Sequence, residues 1–450
     1  MNSPLDLIID ALFEMDERPA AKTLLDAFSR HAFNIEQYDE LAKNYFKIKK
    51  FIDSVNFAEK ALAQAHSAEQ IYICKENLAN SYAHAFYPEK ALEIYKQLEI
   101  INPNDSEMRL KKAYSFFLLG RLDEAESILR AELKNPSIDD KTRTEINFNL
   151  GTYELYKDNF YEGLYRFLIY GRKMNVWKKP RLPFKEWDGA TIKDAVIVIR
   201  AEAGIGDEFI NIRFMKHIKD RGMTPIFYTD RKDLSNLYDS MGFPSVSSVD
   251  QLRNVNDSVY WCHSMDIPVI LRLEYKDLWY GPYLKADKVD LNTNKINVGI
   301  RWEGNPNYDN DLHRSINPID IVNAIENSGI KDKIQMFSLQ RDTGMELMHE
   351  EMIDLDAQNK LDTWESTLSY INSMDLIITS CTSIAHAAAA LGKRTIVFSP
   401  MSSYYVWCHS KKYKHSPWYG ENVSVLRQKR PRYWEEPMSE LVDLLKEEFG

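Results

Sequence analysis

The sequence predicts α-helical repeats followed by an α/β region built as two parallel-sheet lobes. Residues 1–172 carry almost no strand-length apolar runs and repeat themselves every 34 to 38 residues. From residue 195 the helical period gives way to short continuous apolar runs, the mark of strands buried on both faces. After Pro282 that second pattern starts again.

In the repeats, the small residues Ala42, Ala79, Ala113 and Gly151 follow Leu41, Leu78, Lys112 and Leu150. Three positions later stand Tyr45, Tyr82, Phe116 and Glu154. Twelve after each small residue come Ser54, Ala91, Ala125 and Gly163, and four further on Ala58, Tyr95, Leu129 and Phe167. A small residue on the first helix of a hairpin lets the second approach, and large residues fill the space between turns. A single hairpin cannot bury its apolar face, so units must stack. The spacing resembles the tetratricopeptide repeat: four units, with a degenerate pair before them. Lys112 and Glu154 depart from it. Such an array serves either as a spacer or self-association arm, or as a concave surface for a partner or acceptor.

The expected layout is a repeat domain at 1–172, a linker at 173–193, a first lobe at 194–290 and a second lobe at 291–450. The linker holds Trp177, Pro180, Pro183, Trp187 and Gly189, residues that break helices. In the first lobe strands are expected at 195–199, 225–228 and 258–261, with a helix running to about Asp220. In the second they are expected at 296–300, 334–338, 376–379 and 395–398. Helices are expected near 318–328, 363–372, 383–391 and 437–449. Strands alternating with helices imply parallel sheets.

The formal charge of −10 argues against tight non-specific nucleic-acid binding. Locally, Lys411, Lys412, Lys414, Arg427, Lys429, Arg430 and Arg432 crowd together as a solvated rim or a polyanion contact. The four cysteines, Cys74, Cys262, Cys381 and Cys408, form no C-x-x-C pair, which fits a reducing compartment. The acidic first residues carry too short an apolar run for a signal peptide, and no stretch is long and apolar enough to span a bilayer. A cytoplasmic protein is expected.

Parallel sheets bind ligands beyond the carboxyl ends of their strands. Three segments of the second lobe sit there. Arg301-Trp302-Glu303-Gly304-Asn305-Pro306 runs on to Asp311, Arg314 and Ser315, and Arg314 suits a phosphate. Ser338-Leu339-Gln340 offers polar groups for a nucleobase or ribose, or is a plain strand exit. Ser380-Cys381-Thr382-Ser383-Ile384-Ala385-His386 is a hydroxyl-rich turn into an alanine helix. It is either a metal-free anion site made of free helix N–H groups, or simply a capped helix. In the first lobe Gly204-Ile205-Gly206-Asp207 follows the first strand. The glycines make room for a substrate there, and Asp207 is either a general base or a helix cap. Asp309-Asn310-Asp311 has the D-x-D shape of metal-dependent sugar transferases, but lies in a polar loop with Arg314. The histidines lack ligand spacing, so no metal is assigned.

Taken in order, these segments resemble the tetratricopeptide-repeat glycosyltransferases related to bacterial heptosyltransferases, over about residues 187–430. Glu202 to Asp207, Pro282 to Asp287, Gly299 to Pro306, Asn310 to Ile316, Ser338 to Gln340 and Thr382 to His386 carry the resemblance. So do Ala390 to Lys393, Trp407 and Ser416 to Tyr419. The resemblance implies two facing Rossmann-like lobes of the glycosyltransferase B fold, with the acceptor on the first and a nucleotide-diphosphate sugar on the second. It also implies metal-free, usually inverting transfer. Asp207 matches the proposed general base, and Ser380 to His386 the diphosphate loop. Departures are Glu208 and Phe209 after the aspartate, Cys381 in place of an aspartate, and the aromatic loop Tyr404-Tyr405-Val406-Trp407.

The expected site is therefore Asp207 as catalytic base. Arg301, Gly304, Asn305, Arg314, Ser315, Gln340, Ser380, Thr382, Ser383 and His386 are the expected donor-binding set. The expected acceptor is a glycan, a protein or a modified nucleic acid. The rival reading is a repeat scaffold with an inactive transferase-like domain.

Overall fold

The structure is a computed structural model. It describes residues 3–15, 17–176, 181–252, 258–305, 311–341, 343–410, 413, 415–431 and 433–450. Ten helices open the chain as five hairpins: α1 (Pro4–Glu14) with α2 (Arg18–Ser29), α3 (Ile35–Lys47) with α4 (Phe51–Ala63), α5 (Ala68–His84) with α6 (Pro88–Ile101), α7 (Ser106–Leu118) with α8 (Leu122–Leu133), and α9 (Asp140–Tyr156) with α10 (Phe160–Lys173). The four units read from sequence are the last four, and α1 with α2 is the extra pair.

Their starts and turns follow local chemistry. Asn34, Ser67 and Asp105 accept from the third backbone N–H of α3, α5 and α7, each satisfying a donor the helix leaves open. Lys49, Phe86, Gly120 and Asp158 turn the last four hairpins in a left-handed backbone conformation. Ala42, Ala79 and Ala113 are buried where the helices cross. At Gly151 a Cβ would lie 2.6 Å from the backbone nitrogen of Phe167. The two departures are both paired: Lys112 Nζ donates to Glu99 at 2.6 Å, and Glu154 accepts from Asn159 at 2.6 Å.

The chain divides into two compact units, 1–146 with 430–432, and 147–429 with 433–450. The division thus falls inside α9 rather than at residue 172. The reason is that the last hairpin is built into the α/β region. Phe160 packs against Tyr275 with ring centroids 4.4 Å apart, Phe167 against Tyr405 at 5.5 Å, and the Tyr156 hydroxyl donates to the Met401 carbonyl at 2.5 Å.

The first lobe holds β1 (Lys185–Glu186), β2 (Val196–Arg200), α11 (Ile205–Asn211), α12 (Met215–Lys219), β3 (Thr224–Tyr228), α13 (Lys232–Ser240), β4 (Ser245–Val246), β5 (Val259–His263) and α14 (Ile267–Ile270). Its sheet runs β1-β5-β2-β3-β4, all parallel, with Val198 opposite both Ile226 and Trp261. Two expectations change here. The segment read as linker supplies the edge strand β1, with Trp187 buried and its amide donating to the Trp261 carbonyl at 2.8 Å; Trp177 and Pro180 lie outside the described residues. The helix expected to reach Asp220 breaks into α11, a 3-10 turn at Ile212–Phe214, and α12. That turn carries fully buried Arg213, whose guanidinium donates to the Ile210 and Trp418 carbonyls at 2.8 and 2.6 Å.

The second lobe holds β6 (Ile296–Arg301), α15 (Asp311–Arg314), α16 (Pro318–Asn327), β7 (Ile334–Ser338), β8 (Ile353–Asp354), α17 (Trp364–Ser373), β9 (Leu376–Ser380), α18 (Ser383–Ala390), β10 (Arg394–Ser399), β11 (Val423–Arg427) and α19 (Glu435–Phe449). The order is β11-β10-β9-β6-β7-β8, again all parallel. Val298, Ile300, Ile378, Ile396 and Phe398 of the sheet pack with Ile321 and Ile325 of α16 and Leu441 and Leu445 of α19. Helical repeats followed by two Rossmann-like lobes are thus the fold. All four cysteines are free and buried. No helix among the described residues is long and apolar enough to cross a membrane.

Candidate active site

β2 ends at Arg200, and the chain turns through Ala203, held left-handed at φ 55°, to Gly204, the N-cap of α11. Asp207 sits in the first turn of that helix, 7% exposed. Its Oδ2 accepts from the Gly204 amide at 3.0 Å, and its Oδ1 accepts from the Tyr404 hydroxyl at 2.8 Å. The cap and the candidate base are therefore one side chain. Burial pushes its carboxyl up to about 6, the bonds from Tyr404 and Gly204 pull it down, and the charge of Glu202 adds to the rise. A carboxylate of that proton affinity suits general-base work near neutral pH.

In the second lobe β9 ends at Ser380 and α18 begins at Ser383. Thr382 is the N-cap residue, extended at φ −119°, ψ 179°, but its side chain makes no cap bond. Its Oγ1 lies 3.3 Å from Thr379 Oγ1 instead. Thr382 therefore does not cap the helix through its hydroxyl, and its carbonyl accepts from the Ala385 amide at 3.1 Å. Ser380 and Thr382 are buried and Ser383 is half-buried. Arg314 joins this turn: Nη1 donates to the Cys381 carbonyl at 2.8 Å and Nε to Asp311 Oδ1 at 2.8 Å. Ser315 Oγ donates to the Asp311 carbonyl at 2.8 Å. Gly304 leaves the room Arg314 occupies, because a Cβ there would displace the guanidinium. Cys381 meets Arg314 through its backbone.

The two lobes touch where Gly206 of α11 faces α18. A Cβ at Gly206 would fall 2.8 Å from His386 Cδ2 and 3.4 Å from Ser383 Cα. The space expected for a substrate at this glycine is filled by His386. That ring stacks on Trp407 with centroids 5.0 Å apart, and its Nδ1 lies 2.8 Å from the Tyr419 hydroxyl. Burial, with Arg213 and Arg314 adding to it, pushes His386 down to about 3. It is a neutral buttress.

The other expected donor residues separate. Gln340 is fully buried; its Oε1 accepts from the Trp302 and Glu303 amides at 3.3 and 3.1 Å, and its Nε2 donates to the Thr343 carbonyl at 2.7 Å. The carboxamide knits two loops together rather than facing a nucleobase. Arg301 Nη1 donates to the Leu339 carbonyl at 3.0 Å, and Asn305 is exposed. Pro306, Asp309 and Asn310 lie outside the described residues. Asp311, the last residue of the D-x-D shape, is engaged by Arg314. Among the described residues no group of three His, Cys, Asp or Glu side chains is placed to hold a metal ion. In the basic cluster, Arg427 donates to the His409 carbonyl at 3.0 Å and Lys429 pairs with Glu440 at 2.7 Å. Lys411, Lys412, Lys414 and Arg432 lie outside the described residues.

Sequence reasoning missed two features. Glu208, read only as a departure, is fully buried and accepts from Thr229 at 3.1 Å and from Arg231; an acidic residue inside an apolar helix start was its only signal. Tyr404 contacts Asp207 across 197 positions, and no local pattern announces that.

No family model matches the chain, and no curated protein resembles it in sequence. Among solved structures, an O-GlcNAc transferase mutant from Thermobaculum terrenum overlaps 91% of this chain and 89% of its own, at 11% identity and TM-score 0.31. A thermophilic TPR protein from Thermus thermophilus overlaps 37% of this chain and 87% of its own, at 20% identity and TM-score 0.29. The fold described above rests on its own strand orders and registers.

Proposed function

We propose that this protein is a metal-independent, inverting glycosyltransferase that moves a sugar from a nucleotide-diphosphate sugar to an acceptor hydroxyl. One observation carries the reading: a buried carboxylate of raised proton affinity, Asp207, lies one residue from Gly206, where α11 packs onto the N-terminus of α18, which the Thr382 side chain does not cap. Base and anion site belong to different lobes and meet at one point.

In the proposed reaction the Asp207 carboxylate takes the proton of the acceptor hydroxyl. The acceptor oxygen forms a bond to the anomeric carbon from the side opposite the diphosphate, so the configuration inverts. The bond from that carbon to the diphosphate oxygen breaks, and its electron pair leaves with the diphosphate. The N-terminal end of α18, the Thr382 and Ser383 hydroxyls and the Arg314 guanidinium meet that charge, which is the task a cation performs in metal-dependent transferases. The repeats suit an extended acceptor, whether glycan, protein or nucleic acid, and the free buried cysteines suit the cytoplasm.

The test is incubation with mixed nucleotide-sugars and candidate acceptors, read by mass spectrometry. Transfer that persists in EDTA and disappears in Asp207→Asn is the expected result. Transfer lost in EDTA overturns the metal-free claim, and transfer retained in Asp207→Asn overturns the base. A thermal-shift screen with UDP, ADP, GDP, CMP and TDP that moves nothing favours a scaffold.

A further inference from the structure

We infer that Tyr404 is a positioning residue that guards the base: its hydroxyl holds the place on Asp207 Oδ1 that an acceptor hydroxyl takes during transfer. The inference rests on the reading of Asp207 as base, but the contact itself does not depend on any activity.

The geometry is specific. Oδ2 of Asp207 holds the Gly204 amide at 3.0 Å and Oδ1 holds the Tyr404 hydroxyl at 2.8 Å, with the residue 7% exposed. A tyrosine O–H donating to a carboxylate oxygen is chemically what a sugar or side-chain O–H offers before proton transfer. On this inference an acceptor hydroxyl reaches Oδ1 by taking the position the phenol holds.

The loop that presents Tyr404 is anchored, so the guard is held rather than adrift. The Tyr404 carbonyl accepts from the Trp407 amide at 2.8 Å, and the Tyr404 ring meets Tyr405 edge-on at 4.6 Å. The Ser403 amide donates at 3.0 Å to the hydroxyl of Tyr156, which in turn donates to the Met401 carbonyl. The last repeat helix pair therefore braces the loop that covers the base.

Removing the phenol leaves a defined signature. The groups facing Asp207 are Glu202 at the exit of β2, Tyr404 and Tyr405 from the aromatic loop, and neutral His386 behind Gly206. Of these, Tyr404 is the donor to the carboxylate, so its loss favours the protonated acid.

The experiment compares wild type, Tyr404→Phe and Asp207→Asn as full chains. The Asp207 titration is followed by carboxyl 13C NMR in aspartate-labelled protein, with Asp207→Asn giving the assignment. The midpoint in Tyr404→Phe is expected about one pH unit above wild type, the size of losing one hydrogen bond to a charged group. Equal midpoints in two folded proteins overturn the inference whether or not transfer is detected. In the transfer assay Tyr404→Phe is expected to lower the acceptor KM roughly tenfold, leave the donor KM unchanged and move the acid limb to higher pH. An acceptor KM that stays equal or rises overturns the displacement. Transfer retained in Asp207→Asn sinks the base assignment instead and leaves the titration result standing.

Discussion

The guanidinium of Arg172 in α10 meets both carboxylate oxygens of Glu202, at 2.6 and 2.9 Å, five residues before Asp207. It also reaches Asp266 at 2.7 Å. Glu202 is fully enclosed, and His263, whose Nδ1 lies 3.2 Å from it, is pushed down to about 4 by burial and by Arg172. Arg172 is therefore the cation paired with the buried Glu202 carboxylate.

Arg172→Met leaves a buried carboxylate without its partner, which costs about 3–5 kcal/mol. The double variant Arg172→Met with Glu202→Leu removes the Glu202 pair and is expected to recover part of that loss, the remainder belonging to Asp266, which also loses Arg172. Urea denaturation of the single and double variants checks this. A double variant as unstable as the single one contradicts the pairing.

The crossing of α9 and α10 gives a second expectation. A Cβ at Gly151 would lie 2.6 Å from the Phe167 nitrogen, and one at Gly163 would lie 2.8 Å from the Leu155 nitrogen. Both obstacles are backbone and cannot swing aside. Glycine to alanine in a helix ordinarily gains about 1 kcal/mol. Here Gly151→Ala and Gly163→Ala are each expected to lose about 1–3 kcal/mol instead, through overpacking. Thermal melts read the sign directly.

These glycines were legible because close helix packing needs a small residue at a fixed spacing, and spacing is visible in a sequence. The left-handed turns at Lys49, Phe86 and Asp158 keep the same spacing but were hidden, since no glycine marks them. The strands of both lobes could be read because burial on two faces demands continuous apolar runs. Edge strands β1, β4 and β8 have two residues each and carry no such run. In the site, Asp207 and the turn at Ser380 to Ser383 were visible from their place after strands. Whether Gln340 points out or in depends on the amides of Trp302 and Glu303 lying opposite it, which only the fold decides.

Arg314 and Gly304 yield a binding prediction. The guanidinium is oriented by Asp311 and the Cys381 carbonyl, and Gly304 leaves the room it occupies. Arg314→Ala removes a charged hydrogen-bond donor and is expected to raise the Kd for a nucleoside diphosphate about tenfold or more. Gly304→Ala is expected to weaken binding in the same direction by displacing the same side chain. Calorimetric titration of both variants tests this, and unchanged affinity in Arg314→Ala removes the residue from the donor site.

Asp207 ties activity to stability through one titration. Its carboxyl is raised from 3.8 to about 6, first by burial. A carboxyl raised on folding makes the folded state bind its proton more tightly than the unfolded chain does. This group therefore stabilises the fold least above about pH 6 and more as pH falls toward 4, the reverse of a paired aspartate. A shift of that size corresponds to about 3 kcal/mol, of which roughly 1 is returned when a hydrogen bond is lost on substitution. Asp207→Asn is accordingly expected to be more stable than wild type at pH 8 by about 2 kcal/mol, with the order reversing as pH falls toward 4. Transfer has the opposite requirement, since the base works only when ionised: wild-type kcat should rise through about pH 6, and Asp207→Asn should lose about 10²–10⁴ of it. Denaturation curves at several pH values, run beside the rate profile, decide both. An Asp207→Asn protein that is less stable than wild type at pH 8 removes the strained carboxylate on which the base assignment stands.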